Sequence, residues 1–163
     1  MPHMVQGKRV VEVGSYDVNG SVRPIVESYG PASYIGVDIR NGPGVDMIAD
    51  VTVDPLPRAD LVISCEMLEH VEDWQEALWK MMHICNGYML LTTRSPGWPY
   101  HGYPADYWRF TIEDLLEAFK SFNVIRVGYE DTVKHGGVCI LAKRPTKWRD
   151  DWSRLKALTA HTV

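Results

Sequence analysis

The chain has 163 residues and a mass of 18.6 kDa, which at roughly 100–200 residues per domain allows one domain with a real core and leaves little room for a second. Hydrophobic residues at 45% and charged residues at 23% exclude a disordered or fibrous chain. Seventeen Lys and Arg against 21 Asp and Glu leave a net charge of −4, so nucleic acid is not an expected partner.

The opening Met1-Pro2-His3-Met4 reads as partly a cloning remnant, because a second Met stands just before the first strand-like run; residues 1–8 are set apart as an N-terminal extension. Short runs follow at 9–13, 33–37, 47–49, 61–64 and 88–92. They are β-branched and almost continuously apolar, the pattern of parallel strands covered on both faces. Helices are predicted between them. One spans about 21–29, with Pro24 in its first turn and Gly30-Pro31 ending it. Another spans 72–84, placing Trp74, Ala77, Leu78, Met81 and Met82 on one face, with Glu72, Asp73 and Glu76 where the helix dipole favours acids. A third, 111–120, opens on Thr111 with Asp114 three residues on, and buries Leu115, Leu116 and Phe119.

After the third helix, runs at 122–129 and 138–143 flank a turn through Lys134-His135-Gly136-Gly137, which predicts a closing antiparallel hairpin. The body of the fold is therefore 9–144. Residues 145–163 form a tail whose Trp148 and Trp152, four apart, predict a short docked helix.

Cys65, Cys85 and Cys139 are widely spaced in apolar runs, with no CxxC and no Cys/His cluster at zinc-ligand spacing. Buried thiols in a reducing cytosol are expected, and no metal site. With no basic-then-apolar leader and no run of about 18 apolar residues, a cytoplasmic location without a membrane partner is expected.

Chemistry concentrates at the strand ends. The first strand ends Val11-Glu12-Val13-Gly14 and continues Ser15-Tyr16-Asp17-Val18-Asn19-Gly20 toward a helix. A glycine there lets the chain turn tightly and a ligand approach the backbone. The second strand ends in Asp38, about twenty residues beyond the loop, where a carboxylate can accept from both hydroxyls of an adenosine ribose. The third ends in Asp50. The loop is not GxGxxG and no GxxxxGK[ST] occurs, so a pyrophosphate finds no bare-backbone cradle.

This ordered series resembles the class I S-adenosylmethionine-dependent methyltransferases, especially the small type-11-like group, over roughly residues 9–143. Val11-Glu12-Val13-Gly14 is similar to the family's first motif, Gly36-Val37-Asp38 to its second, Ile48-Ala49-Asp50 to its third and residues 59–71 to its fourth. The terminal hairpin is similar to its reversed last strand. The resemblance implies an α/β, Rossmann-like three-layer sandwich around a mostly parallel seven-stranded sheet with an antiparallel last strand. The N-terminal and second crossover helices are reduced, because the first strand starts within ten residues of the N-terminus and the link from Asp38 to Met47 is too short for a full helix.

The cofactor implied is S-adenosyl-L-methionine. Glu12 and Gly14 would shape the methionine pocket and Asp38 would hold the ribose hydroxyls, with Ser15, Asp17, Asn19 and Ile39 also among the cofactor-binding residues. Asp50 and Val51 would sit at the adenine, and Ser64, Cys65 and Glu66 near the sulfonium. The 15–19 loop departs from the family in lacking further glycines.

Residues 93–111 follow the fifth strand and are too long for a mere connection. They resemble a stretch that lies over the active-site mouth in small type-11-like enzymes. Trp108 and Phe110 read as anchors for the next helix and Arg109 as the partner of a carboxylate, while His101, Tyr103 and Asp106 read as facing the acceptor. If a proton must leave the acceptor, His101 is the preferred general base and His70 the second choice. Glu66 reads as pocket shaping and Glu69 as a solvated charge.

The expected function is methyl transfer by in-line displacement to a small-molecule O or N acceptor. The alternative is a non-catalytic S-adenosyl-ligand binding or regulatory module. A nicotinamide-dependent oxidoreductase is disfavoured by the missing GxGxxG and the reversed last strand. The reduced helices leave one flank thin, which predicts an open site or one completed by a second copy in a homodimer.

Overall fold

In the computed structural model, which describes residues 2–102, 104–130 and 136–163, the apolar runs form the strands their composition calls for. β1 (Arg9–Val13), β2 (Ser33–Asp38), β3 (Met47–Ile48), β4 (Ala59–Cys65) and β5 (Cys85–Arg94) lie parallel. A two-residue strand β6 (Trp108–Arg109) follows, and then β7 (Asn123–Tyr129) and β8 (Gly137–Lys143) form the hairpin. β8 runs antiparallel to β5 and closes a seven-stranded sheet of order β3-β2-β1-β4-β5-β8-β7. β1 and β4 are neighbours whose outgoing connections run to opposite edges. A crevice therefore opens at their carboxyl ends, as a switch point in an open α/β sheet requires.

The period of two along each strand sorts the core into two layers. Val10 of β1 and Leu61 and Ile63 of β4 face a small cluster with Val26 of α2 (Arg23–Glu27). Val11, Val13 and Val62 face the larger cluster under α3 (Trp74–Ile84) and α4 (Ile112–Ala118). Asp73 caps α3 by accepting from the Glu76 N–H at 3.2 Å. Thr111 and Asp114 form the reciprocal capping box of α4, with bonds of 3.1 and 2.7 Å. The stripe predicted on α3 is buried, Trp74 to Met82. On α4 it is Ala118, not Leu116, that joins Leu115 and Phe119 inside; Leu116 is 41% exposed because it lies about 100° round the helix from Leu115.

Residues 2–8, set apart above, pack into the fold. The short helix α1 (Pro2–Val5) buries Met4 and Val5, and Val5 joins the small cluster with Val10 and Leu61. The second crossover has no helix; residues 39–46 fold back instead over the β1 loop, where Pro43 C=O accepts from the Asp17 N–H at 2.9 Å. That return is why Gly36 is a glycine, since a Cβ there would stand 2.0 Å from the Gly44 carbonyl oxygen. Among the described residues no helix is long and apolar enough to cross a membrane.

The tail docks more extensively than one helix. Only Trp152 lies in α5 (Trp152–Lys156); Trp148 precedes it and packs edge-on against His83 and Phe122. Arg144 donates to the carbonyls of Met82, His83 and Cys85 at the end of α3, and Lys156 pairs with Asp73 at its start, 2.6 Å away. The final strand β9 (His161–Thr162) pairs antiparallel with β6. Neither strand lies in a β-branched apolar run, so neither was expected from the sequence.

Candidate active site

The crevice at the strand ends is a cleft of about 890 Å³ that draws lining from the ends of β1, β2 and β4, the segment after β3, the 3-10 turn Leu68–His70, Arg94 and the loop after β5. At its centre Gly14 has φ +80°, and a Cβ there would stand 2.4 Å from Met67 Cγ; the chain turns there only because that side chain is missing. The Gly14 and Ser15 amides both donate to Val37 C=O, at 2.9 and 3.1 Å, tying the loop to the end of β2. The loop thus turns on two glycines of its own, Gly14 and Gly20 (φ +119°), while Gly36 and Gly44 supply the clearance from the neighbouring segments.

Asp38 ends β2 on the cleft wall. Its Oδ2 accepts from the Tyr16 N–H at 3.1 Å and its Oδ1 from the Arg40 N–H at 3.0 Å. One backbone bond per oxygen fixes the carboxylate and leaves each oxygen a second lone pair toward the cleft. Asp50 also lines it, but its Oδ1 takes both the N–H and hydroxyl of Thr52, at 2.8 and 2.6 Å, and so holds the turn beneath Val51.

Glu12 is buried on the inner wall and accepts from the Tyr34 hydroxyl. Burial pushes its carboxyl above the ordinary range, against the pull of that bond and of Arg23. Burial, with the charges of Glu12, Glu66 and Glu69, also pushes the Cys65 thiol up to about 11. The cleft floor is therefore acidic and poorly solvated, a setting in which a cationic ligand is favoured. Glu66 stands at φ +52° and ion-pairs through Oε2 with Arg94 Nε at 2.6 Å.

Of the residues predicted for the cofactor, Glu12, Gly14, Ser15, Asn19, Asp38, Ile39, Asp50, Val51, Cys65 and Glu66 line this one cleft. Two do not. Asp17 turns back to accept from the Gly20 N–H at 2.8 Å. Ser64 is 1% exposed and points to the opposite face of β4 from Cys65, because successive side chains alternate. Tyr16, Arg40, Met67 and Tyr107 also line the cleft and were not anticipated. The Gly14 turn, which leaves room for one large side chain, is the signal that could have found Met67.

His70 and His101 both face the cleft, with ring centroids 4.9 Å apart. His70 Nδ1 bonds the Ala105 carbonyl, which can only accept, so Nδ1 carries the proton and Nε2 holds the lone pair. Burial pulls the His70 pKa down and so favours its neutral form. His101 Nδ1 stands 2.9 Å from Asp106 Oδ2, and its Nε2 lies 3.8 Å from Glu69 Oε1.

Asp106 does not face an acceptor. It is buried behind His101, where its two oxygens receive Arg109 Nη1 and Nη2 at 2.6 and 2.7 Å. Burial alone would raise its pKa, but Arg109 and the His101 N–H hold it down at about 2. Asp106 thus faces His101 and Arg109 and does not line the cleft. Nor is Glu69 a solvated charge: it is 0% exposed, with Oε2 accepting from the Thr93 hydroxyl at 2.8 Å. Trp108 donates to the carbonyls of Val71 and Glu72, and Phe110 packs edge-on against Trp74 at 5.2 Å, so these two aromatics anchor the loop. Tyr103 lies outside the described residues.

No protein-family model matches the chain, and no curated protein matches it either. Solved structures do. An S-adenosylmethionine-dependent methyltransferase from Mesorhizobium loti superposes with a TM-score of 0.68 at 18% identity, over 86% of this chain and 93% of that one. The fold is that of the S-adenosylmethionine-dependent methyltransferases. The magnesium protoporphyrin IX methyltransferase of Synechocystis, solved with S-adenosylmethionine bound, matches at 0.64 and 17% identity over 86% of this chain and 71% of that one. The methyltransferase fold extends to the [4+2]-cyclase SpnF, at 0.65 and 14% identity over 86% and 76% of the two chains. Activity must therefore be argued from the site.

Proposed function

We propose that this protein is an S-adenosylmethionine-dependent methyltransferase that transfers a methyl group to a small-molecule O or N acceptor by in-line displacement. The observation that carries the reading is Asp38, fixed by two backbone amides at the rim of a cleft whose floor is acidic. Buried Glu12 and its neighbours suit a ligand carrying an ammonium and a sulfonium, and suit the two phosphates of a nicotinamide dinucleotide badly. When bound, S-adenosylmethionine supplies an electrophilic methyl group on a positively charged sulfur.

In this reading Asp38 orients the ribose, and Val51 and Ile39 flank the adenine side. Glu12 and the Gly14 loop hold the methionine end, and Cys65 and Glu66 lie toward the sulfur. His101 Nε2, with Asp106 behind Nδ1, takes a proton from an acceptor hydroxyl or ammonium, and His70 Nε2 stands next to it. Alignment and exclusion of water supply the remainder of the rate.

S-adenosylmethionine and S-adenosylhomocysteine should each raise the melting temperature by several degrees, because a ligand at 100 times its Kd stabilises by about 2.7 kcal/mol. NAD should leave it unchanged. Stabilisation by NAD alone overturns the reading, whereas binding of both S-adenosyl ligands without turnover of any acceptor favours the non-catalytic module.

The same reading extends to assembly. β3 is a two-residue edge strand, and Ile39, Ile48 and Val53 beside the adenosine end are each more than 60% exposed. A second copy of the chain covering this flank should give a dimeric mass by light scattering, and a monomeric mass at high protein concentration would remove the homodimer.

A further inference from the structure

Glu69, His70 and His101 each offer one donor atom within 4.8 Å of the other two. No spacing in the sequence announces them, since residues 69 and 70 lie on the 3-10 turn and 101 on the loop after β5. We propose that these three side chains form a binding site for a divalent first-row transition-metal ion, with Glu69 Oε1 and the Nε2 atoms of His70 and His101 as ligands.

Three independent features support the assignment. Glu69 is 0% exposed, and its Oε1 is buried without a hydrogen-bond partner, 3.8 Å from His101 Nε2. A carboxyl oxygen in that condition is costly unless a proton or a cation meets it. Both imidazoles are also held from behind. His70 Nδ1 bonds the Ala105 carbonyl, and His101 Nδ1 faces Asp106, itself fixed by the fork of Arg109. The Ala105 bond fixes the His70 tautomer and leaves the lone pair on its inner nitrogen, while Asp106 holds the His101 backbone N–H at 2.8 Å and stands 2.9 Å behind the His101 Nδ1.

Finally, the donor set is two imidazoles and one carboxylate, which suits Zn²⁺, Co²⁺ or Fe²⁺ better than Mg²⁺ or Ca²⁺. Three protein ligands leave coordination positions open, and both histidines line the cleft. At metal–ligand distances of about 2.0–2.2 Å and tetrahedral angles the donors would stand about 3.4 Å apart; His101 Nε2 and Glu69 Oε1, at 3.8 Å, are near that, and the widest pair, within 4.8 Å, closes by about an ångström or more through side-chain rotation.

The bearing of this site on catalysis rests on the methyl-transfer reading. An acceptor hydroxyl that occupies an open position would release its proton to solvent as the oxygen binds the metal. That oxygen would then form its bond to the methyl carbon as the methyl–sulfur bond breaks, leaving S-adenosylhomocysteine. His101 would be a ligand there and not a base.

The test is titration of the metal-stripped full-length chain with Co²⁺, followed by visible absorption, and with Zn²⁺, followed by calorimetry. One equivalent should bind, with the visible bands of a four- or five-coordinate site. His101→Ala and the isosteric Glu69→Gln should each weaken binding by at least about tenfold, the scale on which even a supporting residue acts, while His161→Ala on the exposed final strand leaves it unchanged. Circular dichroism confirms that the variants fold, and Glu69→Gln preserves the buried volume should His101→Ala lose structure. No binding to the wild type, or equal binding in Glu69→Gln and the wild type, overturns the site. S-adenosylhomocysteine affinity is measured alongside: its loss with metal binding intact counts against methyl transfer, and the reverse against the metal site.

Discussion

Asp106→Ala should lower the stability of the chain by about 3–5 kcal/mol, the cost of stranding one partner of a buried ion pair. Arg109 and Asp106 are 2% and 7% exposed, and the pair is bidentate. The guanidinium cannot shed its proton, so removing the carboxylate leaves a fixed charge in a site closed to water. Its remaining partners are carbonyls: Trp98 C=O at 3.1 Å, Pro99 C=O at 3.0 Å and Trp108 C=O at 2.8 Å. These bonds clip the two ends of the loop together, so the loop that carries His101 loses its clasp with the ion pair. For a domain of this size the loss should shift Tm by roughly 10 °C. Asp106→Asn, which keeps an acceptor and the volume, should cost less. A thermal melt of Asp106→Ala within about 2 °C of the wild type would contradict the account, since a domain holds only about 5–15 kcal/mol in all.

The same pair marks where the sequence stops being informative. The parallel strands and the α3 stripe were legible because each is a local pattern: a short β-branched run, ended in β1 by glycine and in β2 by an acid, or apolar residues at helical spacing. The hairpin was legible for the same reason. Glu69 was not. It stands between Leu68 and His70 on a turn with no period, and it is buried because Thr93, on β5, supplies a hydroxyl 24 residues later. Ser64 was misplaced for a related reason. When every residue from Leu61 to Ile63 is apolar, the run hides which face each side chain takes, and only the pairing with β1 and β5 sets it. The residues at the strand ends converge on one cleft because the topology brings every parallel carboxyl end to the same rim; a strand end can be read without knowing what it faces. The His101 side of the cleft depends on how the 93–111 loop folds over it, and that is decided by Arg109 clipping the loop's own Trp98 and Pro99 carbonyls and by Trp108 and Phe110 reaching Val71 and Trp74, more than thirty residues away.

Asp38→Ala should weaken S-adenosylhomocysteine by about 100-fold, roughly 3 kcal/mol for two hydrogen bonds to a charged acceptor. The structure gives this carboxylate two duties, and the experiment must separate them. Each oxygen accepts one backbone N–H, from Tyr16 and from Arg40, so Asp38 also staples the β1 loop to the end of β2. Loss of the staple alone would loosen the loop and lower Tm, yet it would weaken every ligand of the cleft alike. Loss of the ribose contact is selective: adenosine and S-adenosylhomocysteine should suffer equally, while an analogue lacking both ribose hydroxyls should bind wild type and variant with the same affinity. The loop has other ties, since Gly14 and Ser15 donate to Val37 C=O and Asp17 to Pro43 C=O, so the fold should survive the substitution. Asp38→Asn retains one acceptor oxygen and should fall between the two. Calorimetry that finds S-adenosylhomocysteine affinity unchanged in Asp38→Ala would remove the ribose assignment and, with it, the orientation proposed for the ligand in this cleft.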